Sequence, residues 1–397
     1  MKVQVTKLAK SKAKLNISEE ANIIQKYFDE AYQKLAPLVD IKGFRPGKAP
    51  KLITIQTIGE NKYQNEALNL ALPMVYSEAV KSEKLIPVAP PKINIVEFGE
   101  GKTLRLEAEI ELLPEVQLGD YKNVKVKHKE EKFEASDEEV DKIIKRLQYQ
   151  DAQYIVTSES AKKGDRMEID FVGKVKNVEL EKYTSKHYPF LLGEGALLPE
   201  FEKKLLGTKK GDELKFNIDV KSPAGTEKVD FEVKINEVWE VKLPELTDQF
   251  AQKFGNKTVK ILRENIAKNI ILEKEQRDRQ ILEDMIMTEV LKKVKIEVGE
   301  SLIEQEIERR IKIVQEQTGP GFNRYLESLG KDLAQFRETL KPAAERSVKI
   351  SLSLSEIAKD MGYFKPEKLG KDMKENQRIQ GEAVKKTMDE LIKITTK

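Results

Sequence analysis

No cysteine occurs among the 397 residues, which excludes disulfides, thiolate nucleophiles and cysteine-ligated zinc together. Histidine is scarce as well. His128 and His187 are the only two, too few for a histidine metal centre or a Ser-His-Asp triad, so no metal and no cofactor is expected. Nowhere do about 18 apolar residues run together, so no helix is expected to cross a membrane. The first residues, "MKVQVTKLAKSKAKLN", carry lysines without an apolar stretch behind them, which argues against a secretory signal and for a cytoplasmic location. A phosphate loop of the form Gly-x-x-x-x-Gly-Lys-Ser/Thr is missing, in keeping with work done without ATP. A dominant charge is missing too. Lys+Arg number 71 and Asp+Glu 68, a net +3, so the chain is no DNA binder by overall charge and any RNA contact has to come from a local patch.

What the chain does have is length and an ionic surface. With 39% hydrophobic and 35% charged residues it folds, and 397 residues suit two to four domains. The first 112 residues read as α+β. "KVQVTKLA" alternates as a strand, and Ser18 is placed to cap a helix with Glu19 and Glu20 in its first turn. Ile24, Phe28, Ala31 and Leu35 give that helix one apolar stripe, which ends near Pro37. Two helical stretches, "KLITIQTIG" and "NKYQNEALNLALPMVYSEAVKS", precede two strands, "KINIVEF" and "LRLEAEIEL". Residues 113–149 form a connector, strand-like first and then a helix that opens at Ser136 with Val140, Ile143, Ile144 and Leu147 on one side.

From 150 to 242 the pattern shifts to short alternating strands, "RMEIDFVGKV", "DELKFNIDV" and "VDFEVKINEVW", around a helical "PEFEKKLLG". From 243 to 397 it is helical. Val259, Leu262, Ile266 and Ile270 make a stripe that Leu282, Met285, Ile286 and Leu291 continue, and Leu302, Ile303, Ile307, Ile311 and Val314 form another that stops at "TGPG". Helices follow through "LAQFRETL" and "AAERSVKISLSLSEIAKDMG", and "KTMDELIKITTK" reads as a last short helix or a frayed end. Met285 and Met287 suit promiscuous apolar packing.

One loop stands out. "IKGFRPGKAP" sets Phe44 between Gly43 and Gly47 and surrounds it with Lys42, Arg45, Lys48 and Lys51, with no acid from Ile41 to Lys51. The glycines permit unusual backbone angles, and Pro46 and Pro50 stiffen the loop. Arg45 offers a planar fork for phosphate or carboxylate, Lys48 a point charge, and an exposed Phe44 an aromatic anchor. The competing reading is a solvated turn whose phenylalanine folds back onto its own domain.

"GFRPGKAP" resembles the ribosome-docking signature Gly-Phe-Arg-x-Gly-Lys-x-Pro of the bacterial trigger factor family, and the resemblance runs on along the chain. "LLPEVQLGDYKNVKV" is similar to that family's passage out of its N-terminal domain, "LPELTDQFAQKFG" to its passage into the helical domain, and "KIEVGESLIEQEIERRI" to a helix start there, with Gly299 where proline is common. The resemblance implies an α+β ribosome-binding domain over 1–112 and a connector over 113–149 belonging to the C-terminal body. It implies an FKBP-like β-rich domain over 150–242 and an elongated all-α chaperone domain with arms over 243–397. It implies that Gly43, Phe44, Arg45, Gly47 and Lys48 meet the ribosome (protein and rRNA) near the peptide exit, with Pro46 where a lysine is usual. Nascent or unfolded polypeptides would be the clients, and the free chain would form a homodimer.

For the middle domain the resemblance implies a prolyl isomerase pocket. Such catalysis needs no nucleophile, because the barrier of ~18–20 kcal/mol is amide resonance and a dry aromatic pocket favours the twisted, less polar amide. Its walls would be Phe171, Tyr188, Phe190, Leu197, Leu198, Phe201 and Phe231, with the Leu198 N–H turned to substrate and Phe201 as floor. In "ELEKY" Leu180 replaces the family's aromatic while Glu181 keeps the acid, and the closing loop is shortened to "VKSPAGTEKVD". These aromatics equally suit a plain barrel core, and the helical stripes a plain bundle. Three functions are therefore open: a ribosome-associated chaperone with an isomerase domain of low activity, an isomerase first, or a ribosome-assembly protein that neither folds nor holds clients.

Overall fold

A computed structural model gives the fold and describes every residue except 46, 130, 223–224, 367–369, 371 and 397. It is multidomain α+β, as expected from the sequence. The backbone gathers into two compact units, Met1–Lys129 with Gln280–Lys397, and Glu130–Arg279.

The first unit opens with strands β1 (Lys2–Lys7) and β2 (Lys12–Glu19), followed by helices α1 (Ala21–Leu35), α2 (Lys51–Ile58) and α3 (Glu60–Ser82). Strands β3 (Lys92–Glu97) and β4 (Leu104–Glu111) complete an antiparallel sheet of order β1-β2-β4-β3. Ala13, Leu15 and Ile17 of β2 and Leu104, Leu106, Ala108 and Ile110 of β4 face Ile24, Phe28, Ala31, Tyr63, Ala67 and Ala71 of the helices. On the other face Lys12 and Lys14 reach Glu109 and Glu107 at 3.3 and 3.0 Å.

Strand β2 corrects the expected helix start. Ser18 does not cap a helix; it lies in β2 opposite Arg105, and α1 begins two residues after Glu19. The period-two row Ala13, Leu15, Ile17 continues to a buried Glu19, whose carboxylate pairs with the N-terminal amine at 3.2 Å. Burying that row outweighs local capping preference.

The second unit begins with α4 (Asp137–Gln150), whose start is the expected one: Ser136 and Glu139 form a reciprocal capping box. Strands β5 (Gln153–Val156), β6 (Arg166–Val175), β7 (Val178–Glu179), β8 (Ser185–Leu191), β9 (Glu213–Ser222) and β10 (Gly225–Lys242) form one sheet, with α5 (Pro199–Leu205) between β8 and β9. Long β10 pairs with β5, β6 and β9, while β6 also pairs with β7 and β8. Helices α6 (Asp248–Lys253) and α7 (Val259–Leu291) follow; Phe250, Leu262 and Ile266 pack on Val140 and Ile144 of α4.

Within the first unit again, the chain carries α8 (Glu300–Thr318), α9 (Phe322–Ser328), α10 (Leu333–Asp360) and α11 (Met373–Thr395). The connector is less regular than expected. Its strand-like part makes one isolated bridge, Gln117 to Lys295, and a single 3-10 turn, while Tyr121, Val124 and Val126 are buried with Ile286, Val290 and Leu391. Helix α10 is one helix through Pro342 rather than two, and α11 is 23 residues long rather than a short or frayed end. Met287 is buried in the core, so of the two methionines only Met285 is exposed.

Glu111, at the end of β4, is buried at the N-terminus of α8. Its carboxylate accepts the Ser301 N–H at 3.0 Å and also the Ser301 hydroxyl. A Cβ on Gly299 would overlap that carboxylate, which is why a glycine precedes this helix. Gly299→Ala is expected to displace Glu111 from its donors and cost about 1–3 kcal/mol, the usual penalty for a buried polar group losing its partners. A lowered thermal midpoint checks this; an unchanged midpoint refutes it.

Candidate functional site

The basic loop leaves α1 after the turn Ala36–Leu38 and is shaped by two reversals, Phe44 N–H to Ile41 O at 3.0 Å and Lys48 N–H to Arg45 O at 2.9 Å. Gly43 and Gly47 take φ of +90° and +77°, angles that side-chain-bearing residues disfavour. The stiffening expected from Pro46 falls outside the described residues. The base of the loop is tied down. Ala49 is buried, and its carbonyl accepts the Tyr32 hydroxyl at 3.3 Å and Thr54 Oγ1 at 3.4 Å.

Lys51 is also part of that base. Its ammonium sits 2.7 Å from Glu100 and 3.4 Å from Asp29, over the rings of Tyr32 and Tyr63. Burial acts to lower its pKa, but the Glu100 hydrogen bond and the Tyr63 and Glu100 charges outweigh it and hold the ammonium above its ordinary range. Tyr63 is pushed up to about 12, chiefly by burial and then by Glu100. Lys51 thus belongs to the anchor, not to the outer charge.

The crown of the loop faces solvent. Phe44 is 42% exposed and outside the domain core, and Gly43, Arg45, Gly47 and Lys48 are exposed with it. Among the described residues Lys42, Arg45 and Lys48 make no ion pair. The alternative in which Phe44 folds back onto its domain is therefore not the arrangement found. Leu38, Leu52 and Ile53, exposed on either side in sequence, were not anticipated as companions.

In the second unit the register brings the expected aromatics together. On β6, Phe171 and Gly173 lie opposite Val233 and Phe231 of β10, while Ile169 lies opposite Tyr188 of β8. Tyr188, Phe171, Phe231 and Tyr183 form an arc with successive ring centroids 5.8, 6.4 and 6.1 Å apart, all edge-to-face. Phe201 of α5 lies 5.8 Å from Phe171 and 5.0 Å from Phe231, the position of a floor. Phe201 and Phe231 are almost wholly buried, Phe190 is buried beside Tyr188, and Phe171, Tyr188 and Leu197 are half-buried around them.

Leu198 is exposed just before α5. Its carbonyl accepts the Phe201 and Glu202 N–H groups, while its own N–H takes no protein partner among the described residues. That free donor suits a substrate carbonyl. Glu181 does not join the group; it is exposed on the turn Glu181–Tyr183, and its side chain makes no hydrogen bond or ion pair among the described residues. Leu180 also lies outside the apolar cluster. In the shortened loop, Gly225 pairs with Ser222, and the two residues between them are outside the described set.

Four residues that sequence reasoning missed complete the cup. Buried Glu202 accepts the N–H groups of Gly193 and Leu197, both at 2.9 Å, and so pins the segment that leads to Leu198. Phe216 lies 5.1 Å from Phe201, and Tyr183 and Gly173 close the far end of the arc. Beside β8, Asp170 accepts the His187 N–H at 2.7 Å, which lowers its pKa, while the Glu168 hydrogen bond raises that of His187. Among the described residues no set of three His, Asp or Glu could hold a metal ion.

Comparison with known proteins covers nearly the whole chain. Residues 1–147 match the family described as bacterial trigger factor protein, 157–243 the FKBP-type peptidyl-prolyl cis-trans isomerase, and 258–392 the bacterial trigger factor C-terminus. The trigger factor of Caldicellulosiruptor saccharolyticus is 31% identical over 369 residues, 90% of this chain and 84% of that protein. Those of Clostridium botulinum (strain Eklund 17B) and Moorella thermoacetica are each 32% identical, over 90% of this chain and 86% and 82% of theirs. A solved structure described as "Promiscuous Substrate Recognition in Folding and Assembly Activities of the Trigger Factor Chaperone" shares the fold, with a TM-score of 0.50, 20% identity and 99% of both chains covered.

Proposed function

The chain belongs to the bacterial trigger factor family, and from that premise we propose that it is a ribosome-associated, ATP-independent chaperone with an FKBP-type prolyl isomerase domain. The observation that carries this reading is the crown of the basic loop. An aromatic ring and two cations, Arg45 and Lys48, that make no ion pair among the described residues stand in solvent on a base that Ala49 and Lys51 tie down. Ordering such a loop on a partner costs little entropy, because its base is already ordered. Arg45 and Lys48 suit rRNA phosphate or an acidic protein rim, and Phe44 suits an apolar slot.

Clients are held by many weak apolar contacts. Exposed Met285, Ile313 and Leu333 on the helices of residues 280–397, with Leu329 just after α9, are suited to chains that leave once they bury their own surface. Isomerisation is secondary in this reading, because Leu180 and Glu181 stand away from the ring cluster and the floor rings are nearly closed off. Self-association of the free chain belongs to the same proposal. With no nucleotide added, the full-length chain should suppress aggregation of a refolding client protein at a comparable molar ratio. Aggregation at the rate of the client alone rejects the chaperone reading.

A further inference from the structure

We propose that the free edge of β5 is a peptide site, at which an extended segment of an unfolded chain adds a strand and presents an acid to Arg166. None of the residues that build it belongs to the aromatic cup. Its occupant, a segment of an unfolded chain, rests on the chaperone reading.

Strand β5 is an unguarded edge. Strands β1, β3, β5, β7, β8 and β9 each pair on one side only. All of them except β5 carry lysine or glutamate, the usual protection against a further strand. Strand β5 reads Gln-Tyr-Ile-Val, and its Tyr154, Ile155 and Val156 are 40, 40 and 60% exposed. The Thr157 N–H donates to Val238 O at 3.0 Å, so in the same register Gln153 and Ile155 turn their backbone groups to β10. The N–H and C=O groups of Tyr154 and Val156 therefore point away from the sheet, and no loop group meets them among the described residues.

The face beside that edge is apolar with one cation. Val156 and Arg166 both lie opposite Trp239, on the two sides of β10, and Tyr154 lies opposite Val241. The Arg166 guanidinium reaches across β10, 5.3 Å from the Trp239 ring and 5.1 Å from that of Tyr154. It makes no ion pair among the described residues. The carboxylates that follow on its face serve other cations, Glu168 with His187 at 2.8 Å and Glu237 with Lys210. A strand added antiparallel to β5 bonds to Tyr154 and Val156 and sets one side chain opposite each. The segment that fits is apolar-x-acid: the apolar residue lies against Val156, and the carboxylate two positions later meets the guanidinium beside Tyr154.

Trp239 is the one tryptophan of the chain, so its fluorescence reports this face. The probe is the proline-free peptide Thr-Val-Thr-Glu-Thr-Thr, blocked at both ends and titrated into the full-length chain. It should shift the Trp239 emission saturably, and the same peptide with lysine for glutamate should bind about tenfold more weakly. Arg166→Glu should reverse that preference. Val156→Pro removes one outward N–H, which an edge strand tolerates, and should weaken the glutamate peptide about tenfold with the thermal midpoint near wild type. No saturable shift, equal affinity for the two peptides, an unchanged preference in Arg166→Glu or full affinity in a folded Val156→Pro chain each overturns the inference. So does a dimer that Val156→Pro dissociates while the peptide leaves Trp239 unmoved, which assigns the edge to a second copy of this chain. Failure of the chaperone reading is distinguishable: client aggregation then goes unsuppressed while the peptide still binds.

Discussion

Phe201→Ala abolishes prolyl isomerisation by the full-length chain and leaves suppression of client aggregation close to wild type: that is the expected result. Phe201 is 2% exposed and stands 5.8, 5.1 and 5.0 Å from the rings of Phe171, Phe216 and Phe231, so its ring packs against the middle of the arc, the place expected of a floor. Removing it opens a cavity, and a buried phenylalanine cut to alanine costs about 3–5 kcal/mol. The cost falls on the second unit, while Met285, Ile313, Leu329 and Leu333 belong to the first. Phe201→Leu separates the two consequences, because it keeps most of the volume and forfeits the aromatic face. Turnover lost in a folded Phe201→Leu chain assigns the loss to the ring itself. If aggregation suppression disappears along with turnover in a chain that still unfolds cooperatively, the division of labour between the two units is wrong.

How much of this was legible in the sequence varied with how local the information is. The α4 start was readable because Ser136 and Glu139 satisfy each other within one turn. Strand β2 was missed although its signal was present. Ala13, Leu15 and Ile17 alternate with Lys12, Lys14 and Asn16, but Ser18-Glu19-Glu20 resembles a helix opening and drew the boundary too early. Helix α11 was cut short because its first half, around Gly381, has little apolar periodicity. Its buried residues start at Ala383, and the earlier turns carry exposed charge pairs such as Arg378 with Glu375 and Glu382. Helix α10 carries Pro342 in its interior, where proline costs about 3 kcal/mol. The helix runs on because buried Phe336 before it and Ala344 and Leu354 after it hold one face to the core.

The two sites differ in the same way. The loop could be read from eleven consecutive residues, Ile41 to Lys51, with one exception: the charge of Lys51 is spent on Glu100, 49 positions away, which no local pattern reveals. The cup was read in outline because its aromatics lie on alternating strands. That Tyr183 and not Leu180 packs on the ring cluster depends on a glycine standing opposite Phe231, which is strand-register information. Likewise no local pattern marks Glu202, whose carboxylate accepts the Gly193 and Leu197 N–H groups.

The second large effect is expected at the basic loop. Phe44→Ala with Arg45→Ala removes the exposed ring and the guanidinium fork but leaves Ala49 and Lys51, and hence the loop base, untouched. Neither residue belongs to the domain core, so the thermal midpoint should stay where it is. An aromatic anchor and an arginine are the residue types that carry most of an interface, and losing both should weaken binding by about thirtyfold or more. Raising the salt should weaken wild-type binding as well, because the remaining contacts are charged. Co-sedimentation of the full-length chain with ribosomes, wild type beside this double variant at low and at moderate salt, is the direct measurement. Wild type in the pellet, fading with salt, and a folded variant left in the supernatant agree with docking through the loop; a folded variant that pellets as well as wild type contradicts it.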